Sequence, residues 1–164
     1  MIIAFKNKAA DNSLTSRLVS AWTNSPWVHC ELVFQSKDLL CVSARPGEVA
    51  VSARVFGEVV ENDLWEFYQL PNIDAAKERE ILVWLFGQSM TEYSYTGIIW
   101  NQVLHYAHMA NGQWFCSELA FWVLWNYGIL DSTFDAPANW SPAELRSLVK
   151  RSCVEIDKRS LLTS

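Results

Sequence analysis

Trp27-Val28-His29-Cys30-Glu31-Leu32-Val33-Phe34 is an eight-residue run rich in β-branched and aromatic side chains, and it reads as a β-strand. A strand alternates faces, so Trp27, His29 and Glu31 share one side while Val28, Cys30 and Leu32 share the other. Upstream, residues 2–5 form a short apolar strand. Asn12 or Ser13 then caps a helix on which Leu14, Leu18 and Trp22 recur at helical spacing, and Ser25-Pro26 breaks it. Downstream, a polar turn at 35–38 leads into strands at 39–44 and 49–55 around Arg45-Pro46-Gly47, a hairpin turn in its chemistry. Residues 64–70 supply a further strand before Pro71, completing an antiparallel meander.

The second half is helical. Asp74 caps a helix to about residue 86, with Ile81, Leu82, Leu85 and Phe86 as its apolar face and Gly87 as its stop. A partly helical stretch is expected over 97–109. Residues 116–127 are apolar around nearly the whole circumference and end at Gly128, the pattern of a helix enclosed by protein. Ser141-Pro142-Ala143-Glu144 combines an N-cap, a first-position proline and a third-position glutamate, and predicts a last helix through Val149. The expectation is one α+β domain over 1–164, helices packed on one antiparallel sheet.

Composition excludes several functions. Apolar residues make up 51% and charged ones 19% of 164 residues, the balance of a globular chain rather than a disordered one. The net charge is -5 and no basic cluster exceeds Lys150-Arg151, so a nucleic-acid partner is not expected. The four cysteines have neither zinc-knuckle nor disulfide-scaffold spacing, which suits a reducing compartment. The N-terminal residues lack the pattern of a secretory signal, and no apolar stretch approaches the ~20 residues of a membrane span, so a cytoplasmic location is expected. Nine tryptophans either line a groove suited to an apolar ligand or are ordinary core.

Two residues carry the chemistry. Cys116 opens the enclosed helix, where the helix dipole and unpaired N–H groups favour a thiolate and can hold an oxyanion. Position alone equally describes a small buried apolar cysteine. His29, mid-strand among apolar neighbours, needs partners for both ring nitrogens. Glu31, on the same face, is one orienting group and Ser43, on the next strand, is the alternative; the face they share is either the site or plain solvent-facing surface. Trp27 on that face, Trp114 beside the cysteine, and Tyr93 and Tyr95 ahead of it are candidate substrate contacts, and packing explains them as well. His105 and His108 share a helix face, but no carboxylate or third histidine stands at ligand spacing, so neither metal nor other cofactor is expected.

With these residues in place, the chain resembles the permuted NlpC/P60 cysteine hydrolases, the circularly permuted papain-like group that includes YiiX-like and lecithin retinol acyltransferase-like proteins. The stretch from Leu14 through Trp22-Thr23-Asn24-Ser25-Pro26-Trp27-Val28-His29 to Phe34 is similar to the family's approach to its catalytic histidine. Phe86-Gly87 through Tyr93-Ser94-Tyr95-Thr96-Gly97-Ile98 is similar to the pattern ahead of its nucleophile. Trp114-Phe115-Cys116-Ser117-Glu118-Leu119 resembles its aromatic-Cys-Ser-Glu motif, and Ser141-Pro142 its entry to the last helix.

The resemblance implies a permuted papain-like fold, Cys116 as nucleophile, His29 as base, and amide, ester or thioester cleavage on a peptidoglycan-type peptide or a lipid-linked acyl group. An acyltransferase on the same site, or a papain-like binding module without turnover, would share these features. Many YiiX-like members carry a glutamate where Ser43 stands, which leaves the third member between Glu31 and Ser43. A wall-cleaving enzyme without a signal would reach its substrate by phage delivery or on lysis.

Overall fold

The computed structural model describes residues 1–11, 13–45, 51–88, 114–130 and 140–162. Its centre is a six-stranded antiparallel sheet in the order β4-β3-β2-β1-β5-β6. The strands are β1 (Ile2–Asn7), β2 (Trp27–Phe34), β3 (Leu40–Ser43), β4 (Ser52–Arg54), β5 (Trp65–Gln69) and β6 (Val154–Ile156). The helices are α1 (Leu14–Thr23), α2 (Phe56–Val59), α3 (Ala75–Gly87), α4 (Cys116–Asn126), α5 (Pro142–Ser152) and α6 (Lys158–Leu162). Strands β1 to β4 form an antiparallel meander that includes the expected hairpin, the pairing of Val42 with Ala53, but β5 crosses back to pair with β1 instead of extending the meander past β4; the hairpin turn, with Pro46 and Gly47, lies outside the described residues. So do Tyr93, Tyr95, His105, His108 and the helix expected over 97–109.

Strand alternation sorts the sheet into two faces. On one, Ile3, Phe5, Cys30, Leu32, Phe34, Val42 and Tyr68 pack with Ile81 and Leu85 of α3, Leu119 and Phe121 of α4, and Leu145 and Val149 of α5. On the other, Ile2, Ala4, Val33, Cys41 and Phe67 meet Phe56 of α2 and Leu161 of α6. Helices therefore cover both faces, the three long ones on the first. Leu119, Phe121, Val123 and Leu124 of α4 are all buried to 1% or less, worth roughly 1.5–3 kcal/mol each in apolar burial.

Capping chemistry sets most helix ends. Ser13 Oγ accepts the Ser16 N–H, Asp74 Oδ1 accepts the Lys77 N–H at 2.7 Å, and Ser141 and Glu144 close a reciprocal capping box. Asn24 ends α1 in the left-handed conformation, φ 47°, just before Pro26. Beyond Tyr127, Gly128 has φ 67°, where its missing side chain avoids strain.

Two further expectations are corrected. On α1 the buried residues are Ser16, Val19 and Ser20, while Leu14 and Leu18 are 72% and 55% exposed. Trp27 does not share a face with His29. β1–β2 pairing passes from His29–Lys6 directly to Trp27–Asn7, and this bulge at Val28 turns Trp27 toward the α3–α5 face, where it packs on that core. β6, α2 and α6, all five residues or shorter, were not anticipated.

Candidate active site

The site is built where β3 runs out. β2–β3 pairing ends at Leu32–Val42, although β2 continues back to Trp27, so the β3-side edge of β2 is left unzipped around Cys30. The first turn of α4 packs there. Cys116, the first residue of α4, lies near the His29 imidazole and Cys30 of β2, close enough for both to act on its thiol.

On the His29 face, Nε2 lies 2.7 Å from Glu31 Oε1 and 3.3 Å from Ser43 Oγ. Both candidate orienting groups therefore touch the same ring atom, and the shorter, charged contact is the stronger. Glu31 Oε1 also accepts from Arg45 Nε at 3.1 Å and Nη2 at 2.7 Å. Arg45 lies two residues past the end of β3, and no local sequence pattern marks it as the partner of Glu31. Glu31 is 1% exposed, and its second oxygen, Oε2, is buried without a hydrogen-bond partner among the described residues.

Electrostatics favour an ion pair. Burial resists ionisation of Cys116, but the Cys30 thiol, the His29 charge and hydrogen bond, and the Cys30 N–H hold it well below the usual thiol value. Burial would lower His29; the Cys116 charge and hydrogen bond, then Glu31, raise it to about 9. Glu31 is likewise pushed up by burial and pulled further down by His29 and Arg45, so it stays ionised. Cys30, buried and facing negative charge on Cys116, is held well above its ordinary value and remains a thiol.

The start of α4 is tied down without a capping side chain at Phe115. Glu118 Oε2 accepts the Phe115 N–H at 3.0 Å, and Ser117 Oγ donates to the Trp140 carbonyl at 2.5 Å. Burial first, and the charge on Cys116 after it, push Glu118 up to about 7. The N–H of Cys116 belongs to a first turn that has no helical carbonyl to receive it, the geometry of an oxyanion donor.

Trp114 packs edge-on against Trp84 and Trp122, whose rings stack at 3.9 Å and 5°. These three partly exposed tryptophans pack on one another and against the core of the α3–α5 face. Trp27 lies under the Arg146 guanidinium, 4.1 Å from its ring centre, and Arg146 forks onto Glu66 at 2.6 and 2.8 Å. A cavity of about 380 Å³ adjoins His29 and Glu31, and Lys6, Arg45, Arg54 and Glu58 are among its lining residues, so its walls are charged.

Among the described residues no group of three His, Cys, Asp or Glu is placed to hold a metal ion, and no helix is long and apolar enough to cross a membrane. No family model matches the chain, and no curated protein does either.

Proposed function

We propose that this chain is a cysteine hydrolase of permuted papain-like fold. The reading is supported by His29, held 2.7 Å from Glu31, beside Cys116 at the start of α4, with the thiol held below its ordinary value and the imidazole raised to about 9. A thiolate–imidazolium pair is the resting form a nucleophilic acyl transfer needs. Cys116 attacks an amide, ester or thioester carbonyl, the first-turn N–H groups receive the oxyanion, and His29 passes its proton to the leaving group and later takes one from water. Glu31, backed by Arg45, holds the imidazole, and Ser43 assists.

The substrate class follows from the surroundings of His29. The neighbouring cavity is lined by charged groups, which favours a peptide-like substrate over an acyl chain, against the lean toward an apolar ligand that nine tryptophans suggest.

A second reading, a papain-like module that binds a peptide or lipid without turnover, is favoured by the burial of Cys116, which is 2% exposed. Incubation with p-nitrophenyl acetate separates the two. The hydrolase reading expects a burst of nitrophenol and an acetyl group on the Cys116 peptide by mass spectrometry, both lost in Cys116→Ser and His29→Ala. Release without any adduct on Cys116, or no release above buffer, would sink it.

A further inference from the structure

Helix α1 is built inside out. It buries Ser16, Val19 and Ser20 and leaves Leu14 and Leu18 72% and 55% exposed. At about 3.6 residues per turn, Leu14, Leu18 and Ala21 lie side by side, with Arg17 on one flank and Trp22 on the other. Among the described residues, none of these five belongs to the packed core on either face of the sheet, and Trp22 is only half-buried. A single exposed leucine is ordinary, but a contiguous apolar stripe over two turns marks a surface that something covers.

Charge says what covers it. The chain carries a net charge of -5, yet α1 has no acidic residue, and its one charged side chain, Arg17, borders the stripe. On that flank a cavity of about 600 Å³ has the exposed Lys8 and Arg17 in its walls. Asp11, the one carboxylate among its described lining residues, already accepts from Lys6 Nζ at 3.1 Å and Ser16 Oγ at 2.9 Å. We propose that α1 seats the protein on an anionic lipid surface: Leu14, Leu18 and Ala21 enter the acyl boundary, Trp22 lies at headgroup level, and Lys8 and Arg17 receive lipid phosphates. The other flank, past Thr15, borders the cavity of Glu58 and Glu61, so phosphates are received on the Arg17 side alone. A stable protein interface takes roughly 20–30 residues a side, far more than this ten-residue helix presents, whereas a bilayer needs only an apolar stripe and flanking cations. The inference goes beyond the hydrolase reading and uses no residue of its site.

The full chain is mixed with vesicles of phosphatidylglycerol and, separately, of phosphatidylcholine, and the bound fraction is read by co-sedimentation. Binding to phosphatidylglycerol is expected, on the order of 10-fold or more tighter than to phosphatidylcholine and weakened by salt. Leu14→Ser combined with Leu18→Ser should lower it on the order of 10-fold or more, and Arg17→Gln about 5-fold. All three replace exposed side chains, and circular dichroism checks their folding. Bromines on the acyl chains should quench the fluorescence of the bound wild type, and quench Trp22→Phe less at equal bound fraction. The proposal is overturned by no binding to phosphatidylglycerol, by equal binding to phosphatidylcholine, by binding that the double leucine variant retains, or by quenching that Trp22→Phe leaves unchanged. A dimer in sedimentation that the leucine pair abolishes, in a chain that binds no vesicle, would give the stripe to a second copy and overturn it too. Vesicle binding without acylation of Cys116 by the ester would sink the hydrolase alone; acylation without vesicle binding would sink this inference alone.

Discussion

Glu31 Oε1 and His29 Nε2 stand 2.7 Å apart, while Ser43 Oγ reaches the same nitrogen at 3.3 Å. This ranks the two orienting groups. Glu31→Gln should lower kcat/KM on the order of 10³-fold or more, as when an orienting carboxylate becomes an amide. Ser43→Ala, losing one neutral hydrogen bond of about 1 kcal/mol, should cost less than ~10-fold. Steady-state kinetics with the serine variant as the more damaged of the two would reverse the assignment.

His29 titration follows from its neighbours. Its pKa should be about 9 by proton NMR of the ring, and should fall in Cys116→Ser, because the largest influences raising it are the Cys116 charge and hydrogen bond. The stability signs oppose. A base raised from 6.5 to about 9 contributes stability that is complete below about pH 6.5 and is lost as pH climbs through about 9. A thiol depressed from 9.0 contributes stability present above that value and lost as pH falls through its folded value. Below pH 9 the two slopes oppose each other, so the pair's own contribution to urea midpoints should change less with pH than that of either group alone.

Much of this arrangement was legible in the chain. Ser13, Asp74 and Ser141 announced three helix starts because capping is a short-range hydrogen bond between neighbours in sequence. The β2 run was equally plain, and so was Cys116 at a helix start. What failed depended on tertiary placement. The Leu14–Leu18 stripe on α1 has the right period for burial, yet period cannot say which stripe the sheet covers. The bulge that turns Trp27 away from His29 adds no unusual residue to the pattern. Cys30, on the strand face opposite His29, is core; its influence on Cys116 needed the helix in place.

Glu118 offers a second pH effect of opposite character to Glu31. A carboxyl raised from 4.5 to about 7, first by burial, binds its proton more tightly folded than unfolded, so stability falls as pH rises through that window. Glu118→Gln keeps an acceptor for the Phe115 N–H and removes the titration. Relative to the variant, the wild type should lose about 2 kcal/mol between pH 5 and 8 in urea melts.

Arg146 joins Trp27 of β2 to Glu66 of β5 by stacking and by a two-donor fork. Arg146→Ala should cost about 1–3 kcal/mol, lowering Tm by several degrees. Arg146→Lys should recover little of it, since an ammonium keeps the charge but neither the plane nor the fork. Full rescue by lysine would show that charge alone matters there.

The early end of β3 at Ser43 has a consequence for how such a protein can change. Two more rungs of ladder would make a better sheet and would close the gap left along the edge of β2 beside His29 and Cys30. Selection for heat resistance alone would tend to fill that gap, and selection for chemistry would keep it open. Variants that melt later because this edge has zipped should be the ones that no longer react.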